Sequence, residues 1–408
     1  MKKLLNIIFL VFLSLLTVHN PASTQKIDEE LWTKTMAIHN DAIVIDAHAH
    51  PMTSYVINPY ATPDNLDLGK KTEYSSVDFI SMKEGGLDAA FFSLPLLNDI
   101  NEGNPSKKIF DDIVLMRSHI DKYSNLAEIA LTPEDIRRIH GLGKRAILLG
   151  IEFPSCLEGH TVLLEAYSKM GVRLITIGHT KIDAIADTDS DEAGESGLSQ
   201  FGKEVVREMN RLGMLIDITH TPDNLQLSII QESKVPVIAS HSCVRALNDR
   251  PREIPDEILK EIAKKDGAIM ITFHSAHLSI DYAAKHNEAF EKFYSEKKKL
   301  EEKLKDNNAE LAIQLKALKE RTFKKGVDIE LLIDHIDHAV KVAGIDHVGL
   351  GSDFIAGIGS PIGLETAAGY PLITYHLLKR GYKGEEIKKI LGGNLLRIFS
   401  QAQKVSYK

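Results

Sequence analysis

The feature that most constrains this chain is where its apolar runs stop. Eight short stretches rich in β-branched and aliphatic residues can be counted, at 42–48, 87–95, 145–151, 172–178, 214–219, 235–240, 267–273 and 347–352. Each is nearly continuous in apolar residues, as strands covered on both faces are. Six of the eight end in side chains that can bind a metal or move a proton: His48 with His50, Glu152, His179, His220, His241 and Asp353. Successive side chains of a strand alternate faces, so His48 and His50 point the same way and can share one ion. Acids and imidazoles recurring at the ends of buried strands predict a barrel with its chemistry at the mouth.

Between these runs lie helical patterns. Thr132-Pro133-Glu134-Asp135-Ile136 reads as a Thr N-cap with Pro in the first turn; 161–170 and 202–212 follow suit, and Gly171 and Gly213 sit just past the last two. Strands alternating with helices predict parallel α/β architecture, and eight strands fit a closed (β/α)8 TIM-like barrel. A doubly wound open sheet is the competing arrangement, but it would gather ligands at one switch point rather than along the whole chain.

One stretch breaks the rhythm. From Lys285 to Lys325 there is neither Gly nor Pro, and Leu304, Leu311 and Leu318 recur every seven residues. This predicts a helical insertion, a hairpin turning near Asn307-Asn308, acting as a lid or dimer contact or simply packing on the barrel wall.

The N-terminus reads as a targeting segment. Lys2 and Lys3 precede an apolar run from Leu4 to Val18, and Pro21-Ala22-Ser23 supplies small residues. The run is too short for a membrane span, so 1–23 is expected to be a signal peptide, with 24–408 forming one barrel domain exported to the periplasm or secreted and no stable membrane anchor. The net charge of −8, without a strong basic cluster outside the helical stretch, argues against nucleic acid as a partner. Cys156 and Cys243 lack paired C-x-x-C spacing; an exported protein could join them, but small side chains near the mouth is the simpler reading.

The candidate ligands divide naturally. Glu152 directly follows an apolar strand, where a carboxylate is costly unless paired or metal-bound. Its two oxygens could bridge two cations; a salt bridge to an arginine is the alternative. His220 and His241 end successive runs, and imidazole plus carboxylate favours zinc, with manganese or cobalt as other possibilities. Asp353 suits proton transfer to a leaving group, against the simpler role of turn or N-cap residue. Arg245, Arg250 and Arg252 follow the sixth run, and any of them could clamp a substrate carboxylate or pair with nearby acids. His335 and His338 have helical spacing before the last strand and read as structural.

On these motifs the chain resembles the membrane (renal) dipeptidase family of zinc peptidases, from about residue 40 to about 400. The resemblance is carried by Asp46-Ala47-His48-Ala49-His50-Pro51, Gly150-Ile151-Glu152, Thr176-Ile177-Gly178-His179, the block from Gly197 to His241, Arg252-Glu253-Ile254-Pro255-Asp256 and Gly349-Leu350-Gly351-Ser352-Asp353-Phe354. It implies a barrel holding two zinc ions, with His48 and His50 on one, His220 and His241 on the other, and Glu152 bridging. It implies hydrolysis of dipeptides by water activated between the metals, with His179 stabilising the oxyanion, Arg252 holding the C-terminal carboxylate and Asp353 as acid and base. A homodimer is a further expectation. The chain departs from the family's pattern at His50, where the second strand-one ligand is commonly Asp, at Glu253, where Asn is usual, and at Ile355, where a second Asp is frequent. The 285–325 insertion is absent from the mammalian enzymes. Other amidohydrolase-like barrels (lactonase, cyclic amidase, phosphotriesterase) use similar residues, though many bridge their metals with a modified lysine. A metal-free periplasmic binding protein is the rival from another class.

Overall fold

The computed structural model describes residues 27–52, 67–71, 75–94, 104–178, 197–305, 307–323, 326–355 and 359–405. The segment 1–23 and His179 lie outside these residues. The strands are β1 (Ile45–Ala49), β2 (Ala89–Leu94), β3 (Ala127–Ile129), β4 (Arg145–Ile151), β5 (Val172–Thr176), β6 (Leu215–Asp217), β7 (Ile238–Ser242), β8 (Ala268–Ile271) and β9 (Val348–Leu350). All pairings are parallel, in the order β1-β2-β4-β5-β6-β7-β8-β9. Each of the eight expected runs supplies one strand of a nearly closed barrel. β3 is an addition that pairs only with β4. Ala127-Glu128-Ile129 is too short and too mixed to stand out as an apolar run.

The last and first strands meet through side chains more than through a ladder. The Ser352 amide and hydroxyl donate to the two oxygens of the buried Asp46 carboxylate at 2.8 and 2.5 Å. Past the strand ends, the Asp353 amide donates to the His48 carbonyl and the His50 amide to the Phe354 carbonyl. The seam therefore closes at the mouth, beside the strand-one histidines.

The core has two layers. The larger cluster lies between the strands and the surrounding helices. The smaller joins strand-start residues Ile45, Ala89, Ala146, Leu215, Ile238 and Ala268 to Leu395, Ile398 and Phe399 of the Asn394–Val405 helix. That helix covers the end of the barrel opposite the strand-end histidines and acids, so it stabilises the scaffold without entering the mouth. The helix starts and stops follow the local sequence signals. Thr132 accepts the Asp135 amide at 3.1 Å, and Gly213 closes the Gln200–Leu212 helix at φ 65°.

The insertion is a helical hairpin, Ile280–Lys303 against Asn308–Thr322, so it begins slightly earlier than the composition suggests. Leu311, Leu315 and Leu318 form a separate apolar cluster with Phe293, Leu300 and Leu304. The hairpin thus carries its own small core, and the heptad spacing serves contact between its own arms. Among the described residues, no helix is long and apolar enough to cross a membrane.

Candidate metal centre and active site

Five of the candidate ligands converge at the mouth. His48, His50, Glu152 and His241 are buried, and the His220 side chain is largely so. The imidazoles form two pairs: His48 Nε2 lies 2.9 Å from His50 Nε2, and His220 Nε2 lies 2.9 Å from His241 Nε2. Each pair faces a different oxygen of Glu152. Oε2 is 3.8 Å from His48 and 3.4 Å from His50; Oε1 is 3.2 Å from His220 and 3.5 Å from His241. Both triads have spacing that could hold a metal ion. The donor set fits: neighbouring ring nitrogens directed at one carboxylate oxygen can share a cation.

The backbone helps to aim these groups. His220 and Asp353 adopt left-handed conformations, at φ 66° and 55°. Both stand just past short strands, where such a turn redirects the side chain towards the mouth. Non-glycine residues in this region are uncommon and cluster at functional sites.

The layer behind the histidines is anchored by Asp217, which is not among the candidate residues of the sequence analysis. Asp217 lies inside the apolar run Leu215-Ile216-Asp217-Ile218, and a carboxylate there should have been a signal. It accepts five hydrogen bonds: from the hydroxyls of Thr176, Thr219 and Ser240 at 2.6, 2.7 and 2.6 Å, and from the amides of Thr219 and Ser240 at 3.0 and 2.8 Å. It also falls within metal-binding distance of His48 and His241. With both oxygens so fully engaged, it reads as an anchor rather than a ligand. Ser240 passes this order on. Its hydroxyl donates to Asp217, so its oxygen accepts the Nδ1–H of His241 at 2.8 Å, which leaves the His241 Nε2 lone pair facing the centre.

Burial, and then the neighbouring His48, push His241 well below the ordinary histidine range, in keeping with a neutral donor. For His48, burial works downward, but the adjacent Glu152 together with Asp353 and Asp217 outweighs it and the net shift is upward. Burial would push the Asp353 carboxyl up. The hydrogen bond from His50 works against this, and the net shift is well below the usual carboxylate range. Its Oδ1 lies 3.3 Å from His50 Nε2.

The three arginines separate cleanly. Arg245 makes a two-pronged contact with Asp223 at 2.7 and 2.6 Å, and Arg250 donates to the Ala276 carbonyl. Arg252 alone reaches the centre: Nη2 donates to the His241 carbonyl at 2.9 Å and lies 3.3 Å from His220 Nε2. Its Nε and Nη1 are buried without a hydrogen-bond partner. His335 accepts the Val244 amide and faces the Leu278 carbonyl, and His338 pairs with Asp256, so both hold elements together. Cys156 and Cys243 are buried thiols; they form no disulfide with each other and enter neither triad.

Comparison with known proteins gives the family. The family model for membrane dipeptidase (Peptidase family M19) matches residues 33–408. Dipeptidase 3 of Macaca fascicularis is 26% identical over 391 residues, spanning 94% of this chain and 70% of that protein. Dipeptidase tcpJ of Claviceps purpurea is 29% identical over 339 residues, spanning 81% and 70%. In fold, the probable dipeptidase PvdM from Pseudomonas aeruginosa superposes with a TM-score of 0.75 at 23% identity, covering 93% of this chain and all (100%) of that one. A metallopeptidase from Rhodobacter sphaeroides, liganded with a phosphinate mimic of the dipeptide L-Ala-D-Ala, gives 0.69 at 18% identity, covering 89% and 100%. The chain belongs to the membrane dipeptidase family, Peptidase family M19, and with it to the metal-dependent hydrolases that act on dipeptides.

Proposed function

We propose that this enzyme cleaves dipeptides with two zinc ions, one held by His48, His50 and Glu152 and the other by His220, His241 and Glu152. The observation that carries this reading is the pair of imidazole couples, one on each oxygen of a single buried carboxylate. Metal ions in these positions supply Lewis acidity towards a carbonyl oxygen and acidify water.

The chain's own residues do the rest. Asp353, held ionised, accepts the proton of the attacking water and returns it to the leaving amine. Arg252 offers its guanidinium to the substrate's C-terminal carboxylate. Buried donors without partners are rare in folded proteins, and an anionic ligand would satisfy them. This clamp would favour short peptides with a free carboxylate close to the scissile bond. His179 is assigned to the carbonyl oxygen on sequence grounds, since it lies outside the described residues. Segment 1–23 is assigned as a signal peptide, which the mature N-terminus of exported protein would test.

The experiment is a panel of L,L- and L,D-dipeptides against lactones and phosphotriesters. The reading requires turnover confined to the dipeptides. Preferred hydrolysis of a lactone or phosphotriester would instead place the enzyme with the other barrel hydrolases. Arg252→Ala is expected to raise KM for free dipeptides by about 100-fold, as befits loss of a charge-assisted contact worth ~2–3 kcal/mol. The matching dipeptide amides should be almost indifferent to it.

Ser240→Ala should weaken zinc retention by about 10- to 100-fold, because His241 then loses the partner that fixes its tautomer. Competition with a chromophoric chelator reads this directly. Unchanged affinity would remove Ser240 and Asp217 from the account of the centre.

A further inference from the structure

Glu253 follows Arg252 directly and is fully buried, with 0% of the residue exposed. Its Oε2 accepts the Cys243 amide at 2.8 Å and lies 3.5 Å from Arg252 Nη1. Its Oε1 lies 2.9 Å from Nδ1 of His277, on the short helical turn Ser275–Leu278. The backbone is fixed too, by a parallel bridge between Val244 and Ile254. A carboxylate in such a place costs several kcal/mol unless it is paired and hydrogen-bonded. Here burial would raise its pKa, but Arg252 and then His277 bring the carboxyl down to about 2, so it is charged at neutral pH.

The need for that charge lies next door. The Arg252 side chain is only 13% exposed and touches His220 and the His241 carbonyl. The five assigned metal ligands include a single carboxylate, Glu152. A centre loaded with two divalent cations would therefore repel the guanidinium beside it, and in a buried site that repulsion is weakly screened. Glu253 attracts the guanidinium from the other side. A neutral side chain of the same shape would keep hydrogen bonds but not that pull.

We propose that Glu253, pinned by His277 and the Cys243 amide, is the positioning residue of the carboxylate clamp, holding Arg252 seated beside the loaded metal centre. The inference rests on the assignment of Arg252 to the substrate carboxylate made above. The zinc-loaded Glu253→Gln enzyme is assayed on L-Ala-L-Ala and on its C-terminal amide. KM for the free dipeptide should rise by about 10-fold, less than for loss of the guanidinium itself, because Arg252 keeps its contact with the carboxylate but is held less firmly. Its kcat should stay within about twofold, with kcat/KM for the amide and the zinc content unchanged. Glu253→Asp, which keeps the charge, should recover part of the loss.

An unchanged KM overturns the proposal, as does an equal loss on dipeptide and amide, which would mark a merely structural role. If Glu253→Gln fails to fold or to load zinc, His277→Ala is the second variant. It should give a smaller rise confined to the free dipeptide, and no such rise again overturns the proposal. Arg252→Ala on the same two substrates separates the levels. If that variant does not discriminate them, the clamp itself fails and Glu253 loses its role. If it does discriminate and Glu253→Gln is silent, only the positioning role falls.

Discussion

Asp353→Asn is expected to bind zinc as the wild type does while losing about 10³-fold in kcat, within the span usual for a general acid or base. Three structural facts make this the sharpest substitution at the site. Asp353 has φ 55°, a conformation that Asn adopts more readily than most residues, so the backbone should not move. Asn keeps an oxygen near His50 Nε2, the 3.3 Å neighbour of the carboxylate. What it loses is the capacity to take and return a proton. Because the hydrogen bond from His50 favours the ionised carboxyl, the base form is present throughout neutral pH. The deficit should therefore not recover on raising the pH from 6 to 8. Turnover of dipeptides by this variant at the wild-type rate would show that the proton is moved by another group.

Glu152→Ala is expected to have a different signature, since it removes an oxygen from both triads at once. Loss of any one histidine leaves one triad complete; loss of Glu152 leaves two bare imidazole pairs. Zinc should fall from about two to below one per chain after dialysis, and activity should fall by at least about 10³-fold with it. Thermal unfolding supplies a readout independent of turnover. A ligand that binds only the folded state stabilises it, by about 4 kcal/mol at a thousandfold excess over Kd. Zinc should thus raise the Tm of the chelator-stripped wild type and do little for Glu152→Ala. If the variant keeps both metals with wild-type affinity, Glu152 is not the bridge.

Much of this site was legible because of where it sits. Strands buried on both faces read as apolar runs, and a His or Glu at the end of such a run stands out; Ile151-Glu152 and Ser240-His241 show this. The strand order follows from the same runs, the helical arms of the insertion from the lack of Gly and Pro, and its turn from Asn307-Asn308. Other features leave no periodic trace. The seam between β9 and β1 is made by Asp46 and Ser352, which pair across 306 positions of sequence. The short β3 carries too little apolar character to be seen. Asp217 is visible as an acid inside a strand, but its five donors come from β5, β7 and the turn after β6, and only the folded chain brings them together. The choice among Arg245, Arg250 and Arg252 is likewise tertiary. Each has the same chemistry, and only the carbonyl of His241 and the acid at Asp223 tell them apart.

On the proposed reading, two metals shared through Glu152 make this barrel a dipeptidase. Zinc quantitation during stepwise reloading of the stripped protein, with dipeptide hydrolysis followed at each step, tests it most directly. Saturation is expected at about two zinc ions per chain, with activity rising as the centre fills. Fewer than one bound metal per chain after reloading, or full dipeptide hydrolysis by the metal-free protein, would contradict it.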